Sequence, residues 1–196
     1  QLGYRIKLLG ITKRMPDGIE LRVHPTLIPA KRLIANVEGA MNAVLVNSDA
    51  VGATLYYGKG AGSEPTASAV IADLVDIARL ESVNPEHRVP PLAFQPDAMK
   101  NTPVLPMSEV TTSYYLRMQV KDQPGVLAEI TRILADLNIS IDAFLQKEPQ
   151  EGETLVDIII LTHLTQEKNM DAAIEKVENL STVMGKVTKI RLEELM

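Results

Sequence analysis

The chain has no cysteine and no tryptophan, and only 4% of its residues are aromatic. Without cysteine there can be no disulfide scaffold and no thiolate metal site, a composition that fits a reducing cytoplasmic setting. The scarcity of rings and a net charge of −5 argue against a nucleic-acid surface, which needs basic stripes and stacking aromatics. No apolar run approaches the ~18 residues a membrane span requires; the run at Val156–Leu161 is short and broken by Asp157. No charged segment followed by an apolar one opens the chain, so no signal peptide is expected. His24, His87 and His163 share no metal-ligand spacing, and Ser63, Ser68 and Ser113 lack a nucleophile-elbow context. Neither a metal site nor a catalytic triad is expected. The first residue is Gln1 rather than Met, and the chain reads as a piece of a longer polypeptide.

What is present is ordinary globular material: 196 residues, 45% apolar and 23% charged, enough for one large domain or two small ones. Charge is uneven. Residues 1–80 carry nine Lys/Arg against seven Asp/Glu, whereas residues 110–196 carry nine against fourteen. Between these ends Pro85, Pro90, Pro91, Pro96, Pro103 and Pro106 punctuate the sequence. Proline removes a backbone donor and turns its predecessor away from helix, so 81–112 is expected to be an extended linker between units at 1–80 and 113–196.

In the first unit Tyr4, Ile6 and Leu8 alternate with charged residues, and Ile19–Val23 alternates again after Pro16-Asp17-Gly18. This predicts a half-buried β-hairpin with its apolar side inward. Asn42–Val46 and Ala53–Tyr57 read as two further strands of a mixed sheet. A covering helix follows, capped by Ser63, with Pro65 in its first turn and Val70, Ile71, Leu74, Ile77 and Ala78 as its apolar stripe. The second unit reads strand (Tyr114–Val120), helix from Pro124, strand (Ile139–Leu145), strand (Thr154–Leu164), helix (Met170–Leu180), strand (Val187–Leu192). That order is the ferredoxin-like βαββαβ arrangement. The expected class is α+β.

Two loops stand out. Gly58-Lys59-Gly60-Ala61-Gly62-Ser63-Glu64-Pro65-Thr66 joins a strand to a helix, so its amides could approach an anionic or polar ligand; it could equally be a tight turn. It matches neither the dinucleotide fingerprint nor the phosphate-loop pattern. Lys121-Asp122-Gln123-Pro124-Gly125-Val126-Leu127 ends a strand and opens a helix whose free amides attract a carboxylate. Asp122 could instead cap that helix and Gly125 merely permit the turn. Asn138, at the helix end, suits a left-handed stop.

On these residues the chain resembles known families. Tyr115 to Pro149, with Asp122-Gln123-Pro124-Gly125-Val126-Leu127, Leu137-Asn138-Ile139 and Gln146, resembles an ACT domain, the amino-acid-sensing module of biosynthetic enzymes. Gly3–Lys13, Val23–Pro29 and Asn42–Ala69 resemble the C-terminal half of the catalytic part of homoserine dehydrogenase. The resemblance implies a parent enzyme interconverting homoserine and aspartate semialdehyde with NADP or NAD, on the way to threonine and methionine. It also implies that the nucleotide-binding domain, the catalytic Lys and the acidic cluster lie outside this chain. No catalytic residue is therefore expected here, and the cofactor is not expected to stay bound to this chain alone. It implies a cofactor-contacting role for Gly58, Gly60, Gly62 and Thr66. It implies an effector pocket, for threonine first, at Asp122, Gln123, Gly125, Val126, Asn138 and Gln146. Open sheet edges and an uncovered apolar face imply a homo-oligomer, dimer or tetramer. The reading of a different class is a stand-alone amino-acid sensor or interaction protein without catalysis; an RNA-binding sheet is excluded by the missing aromatic patches.

Overall fold

The computed structural model describes residues 2–90, 93–146 and 154–195. Gln1, Pro91 and Pro149, named above, lie outside the described residues. The elements are β1 (Tyr4–Met15), β2 (Gly18–Pro29), β3 (Met41–Ser48), β4 (Gly52–Lys59), α1 (Ser63–Glu81), β5 (Thr111–Lys121), α2 (Val126–Asp136), β6 (Ile141–Gln146), β7 (Leu155–Thr162), β8 (Thr165–Gln166), α3 (Glu167–Glu178) and β9 (Val183–Leu192). The class is α+β with a mixed sheet and a ferredoxin-like part, as expected.

The chain forms two compact units, and they do not follow the expected boundaries. One comprises the described residues up to Ala35 with those of Thr102–Leu195; the other is essentially Asn36–Asn101. Among the described residues of the first, seven strands share one sheet in the order β1-β2-β9-β5-β7-β6, with β8 beside β5. The β9-β5-β7-β6 part is antiparallel. The hairpin β1–β2 joins it where Thr26 and Leu27 run parallel to Arg191 and Leu192. The hairpin is thus an extension of the βαββαβ sheet, not part of a sheet with β3 and β4. Two stretches of the expected linker are built into this unit. Ile19 N–H donates to Pro103 O at 2.9 Å and Leu105 N–H to Ile19 O at 2.9 Å, while the stretch just before β5 turns at Met107–Glu109.

The core of this unit follows from period-two and 3.6-residue patterning. Tyr114, Leu116, Met118 and Val120 of β5 and Val156, Ile158 and Ile160 of β7 face one side. There they meet Val126, Ile130 and Leu134 of α2 and Met170, Ala173 and Val177 of α3. Helix α2 ends in a Schellman motif: Asn138 has φ 56°, its N–H donates to Ala135 O at 2.9 Å, and Ile139 N–H reaches Leu134 O at 2.9 Å. The left-handed stop expected of Asn138 is present.

The hairpin is inside out relative to the expectation. Leu8 and Val23 are 72% and 70% exposed, and Ile6 and Leu21 are exposed beside them. Glu20 and Arg22 are only 2% and 4% exposed, and His24 and Thr26 are buried with them. The alternation was real, but its polar face is the inward one.

In the second unit β3 and β4 pair antiparallel, Met41 opposite Lys59 through Ser48 opposite Gly52. The turn between them ends on Gly52 at φ 71°. Helix α1 follows, but none of its residues is buried: Val70, Ile71, Leu74 and Ile77 are exposed. The N-cap is Gly62, not Ser63, and it makes no side-chain cap bond.

Candidate functional site

The glycine loop is built from a strand end and a helix start. Gly58 pairs with Asn42 across β3–β4. Gly60 lies against the same Asn42 so closely that a Cβ there would meet the carboxamide Nδ2 at 2.2 Å; only glycine fits unless Asn42 moves. Gly62 holds φ 129° at the head of α1, a conformation that disfavours any side chain. Thr66 N–H donates to Gly62 O at 3.1 Å, closing the first turn. Gly58, Gly60, Gly62 and Thr66 are all exposed. The α1 amides therefore open to solvent with the positive end of the helix dipole behind them, which suits a polar or anionic group.

The second candidate lies at the start of α2. Gly125 is its N-cap, with φ 94° and no side-chain cap bond, and the first helical bond is Glu129 N–H to Gly125 O at 2.9 Å. The helix begins at Val126, two residues later than expected from Pro124. Asp122 is held by its backbone, N–H to Thr154 O at 3.0 Å. Because the cap position is three residues further on, its carboxylate does not cap the helix. Asp122, Gln123 and Gly125 are exposed, whereas the Val126 side chain is buried in the core; only the Val126 backbone faces the loop. Around Gly125 a Cβ would meet nothing within 4 Å.

Asn138 and Gln146 are not beside that loop in one chain. Asn138 follows the far end of α2, about 16 Å along the axis at 1.5 Å per residue. Gln146 is exposed on the edge strand β6, opposite Ile158. The loop and Asn138 thus sit at opposite ends of the α2 layer.

Two polar clusters among the described residues were not expected from the sequence. Glu167, at the head of α3, is buried and accepts from Tyr114 Oη at 2.7 Å, Lys189 Nζ at 2.6 Å and Arg191 Nε at 2.7 Å. Lys189 also pairs with Asp171. Burial alone would raise the Glu167 pKa, but hydrogen bonds from Arg191, Lys189 and Tyr114 outweigh it and hold the carboxyl at about 2. Burial and the carboxylate beside it push the Tyr114 phenol up. For Arg191 burial works against the charge, yet its bonds to Glu167 leave its pKa raised. The second cluster is the buried row on β2. Arg22 Nη2 donates to Glu193 Oε1 at 2.6 Å, and Lys13 Nζ to Glu193 Oε2 at 2.9 Å. Beside it Thr26 Oγ1 lies 3.0 Å from His24 Nδ1, and burial lowers the His24 pKa. The Glu-x-Arg-x-His-x-Thr alternation was the available signal, but with Leu21 and Val23 on the other side it pointed the wrong way. His163 Nε2 also lies 4.0 Å from Asp142 on the exposed surface, a proximity across strands that spacing does not reveal.

The chain matches two family models: homoserine dehydrogenase over residues 1–75 and the ACT domain over residues 114–182. It is 56% identical to homoserine dehydrogenase of Pseudomonas aeruginosa, with 99% of this chain and 45% of the relative covered. It is 57% identical to that of Neisseria gonorrhoeae, with 100% and 45% covered. A crystal structure of a homoserine dehydrogenase from Thiobacillus denitrificans superposes with TM-score 0.90 at 68% identity, over 100% of this chain and 44% of that one. A Staphylococcus aureus homoserine dehydrogenase superposes with TM-score 0.58 at 26% identity, over 100% and 43%. The chain spans a little under half the length of the relatives it matches. The two models are matched in order, residues 1–75 by that of homoserine dehydrogenase and residues 114–182 by that of the ACT domain, within a fold shared with solved homoserine dehydrogenases.

Proposed function

We propose that the protein containing this chain interconverts homoserine and aspartate semialdehyde with NAD or NADP, and that its ACT part binds threonine as a feedback effector. The observation that carries the reading is an overall identity above 50% across an alignment that spans both the 1–75 and the 114–182 segments.

The nicotinamide cofactor would supply the hydride donor or acceptor. The residues here fit contact with one end of it: Gly62 offers open amides at the α1 N-terminus, and Gly58 and Gly60 let the backbone come close where a side chain would intervene. Thr66 adds a hydroxyl one turn along the helix. No strand-turn-helix with the pyrophosphate fingerprint occurs in this chain, so the loop orients a group held elsewhere.

At the ACT loop, the threonine carboxylate would meet the amides opening at Leu127 and Ala128, and Asp122, which does not cap the helix, would take the ammonium group. Asn138 and Gln146 can donate and accept, which suits them to a hydroxyl. They stand apart from the loop in one chain, so a second copy would complete the pocket. Serine should bind more weakly than threonine, and valine more weakly still, since a polar pocket left unpaired is costly. The test is calorimetric titration with threonine, run on wild type and Gly125→Asp. Binding by the wild type and none by a folded Gly125→Asp protein is expected, because the carboxylate fills the open space and repels the ligand. No heat at millimolar threonine, or equal binding by both, defeats the assignment.

A further inference from the structure

We propose that Arg22 is a two-position latch between the hairpin and the end of the ACT sheet, able to pass from Glu193 to Glu20. Its regulatory consequence, that an effector at the Asp122–Val126 loop is felt in β2, rests on the effector reading above.

The geometry begins with three charged side chains that are all at least nine-tenths buried: Glu20, Arg22 and Glu193. Arg22 gives one hydrogen bond, Nη2 to Glu193 Oε1 at 2.6 Å. The same Nη2 forms an ion pair with Glu20 Oε2 at 3.3 Å, but the alignment is not that of a hydrogen bond, and Glu20 Oε2, Arg22 Nε and Arg22 Nη1 have no hydrogen-bond partner. Leaving a buried donor and a buried acceptor idle is costly. Here the idle donors and the idle acceptor belong to neighbouring residues. Turning Arg22 toward Glu20 therefore gains bonds on one side while losing them on the other. Glu193 would not be stranded, because Lys13 Nζ holds its Oε2 at 2.9 Å. Both arrangements keep every charge compensated, which is the condition for two states of similar free energy.

The latch sits where the two halves of the sheet meet. Glu193 follows β9, whose end is fixed to β2 by Glu193 N–H to Leu27 O at 3.0 Å and to β5 by Thr112 Oγ1 to Leu192 O at 2.7 Å. At its other end β5 runs into Lys121 and the effector loop, with Val120 opposite Val183 at the start of β9. A shift of β5 against β9 at the loop is thus delivered by two paired strands to Glu193.

The test uses the full-length protein with Glu20→Gln, Glu193→Gln and the double variant, read by denaturant midpoint. Each single change is expected to cost little, since the remaining carboxylate takes Arg22. The double loss should exceed the sum of the two, and a double variant that fails to fold while both singles fold counts as the same result. Additive losses overturn the latch. Hydrogen exchange with and without threonine reads the coupling. Protection of the Asp122–Val126 loop together with a change at Leu21–Leu27 in wild type, absent in Glu20→Gln, supports it. Loop protection with an unchanged β2 in wild type overturns the coupling. No loop protection defeats the effector reading and the coupling with it, while the latch still stands or falls on the stability cycle.

Discussion

At the residue scale, backbone conformation separates two glycine effects that sequence merges. Gly125 combines φ 94° with empty space around it, so Gly125→Ala should fold and cost on the order of 1–2 kcal/mol through the left-handed backbone alone. Thermal unfolding checks this, and loss of the fold would show that Gly125 is a packing residue after all. Glu167 gives the pH counterpart. Its folded pKa of about 2 lies below the ordinary 4.5. Its contribution to stability is therefore complete above pH 4.5 and lost as pH falls toward 2, with a size on the order of 3 kcal/mol. Glu167→Gln should lower stability at pH 7 and flatten the acid limb over that interval. His24 works the same way in a higher window: its pKa is lowered from 6.5, so stability should begin to fall below pH 6.5 in wild type and less so in His24→Asn. Urea midpoints measured from pH 7 to pH 3 distinguish the two windows; curves that superimpose would refute both assignments.

At the element scale, helices and strands of the βαββαβ part were legible because each buries its apolar side against the same chain. Val126, Ile130 and Leu134 fall on one face of α2 and reach the core, as their spacing requires. The hairpin was legible as a hairpin and not in its facing. Its turn residues fix the register, Met15 opposite Gly18, but nothing local tells which side of a strand another segment covers when both sides alternate. The polar side is buried because Glu193, far away in sequence, supplies the partner for Arg22. The same limit applies to α1: its stripe marks a face to be covered and does not say by what. A 19-residue helix with no buried residue lacks the packing that stabilises helices in proteins. On the homo-oligomer expected from the sequence, we propose that a second copy covers that stripe. Ile71→Lys together with Leu74→Lys should lower the assembly mass in light scattering, whereas an unchanged mass would place the contact elsewhere.

At the scale of the whole molecule, the family was readable from motif strings while the boundary between units was not. Motifs are local, but the sheet crosses from the 1–75 segment to β9, beyond the end of the 114–182 segment, through the β2–β9 pairing, and pairing between segments so distant leaves no mark on either. The candidate sites show the same division: the loops at Gly58–Thr66 and Asp122–Val126 announced themselves by glycine, whereas the distance from Gly125 to Asn138 followed only from the length of α2. This organisation bears on what 196 residues can do by themselves. The glycine loop presents exposed amides at one helix start, worth about 0.3–1 kcal/mol toward an anion when exposed. A dinucleotide held at micromolar strength needs about 8 kcal/mol. No segment of the sequence, the glycine loop included, follows the pyrophosphate-binding pattern, and the family resemblance implies that the acidic and lysine groups for the chemistry lie outside these residues. The isolated chain should therefore show no homoserine-dependent reduction of NAD or NADP above a blank, and no nicotinamide binding detectable by fluorescence at micromolar concentration. Threonine binding, which needs only the ACT loop and a second copy, should survive in the same sample. Turnover by the isolated chain would mean that the hydride chemistry rests on residues between Gly3 and Thr66 after all, and would reopen the catalytic assignment there.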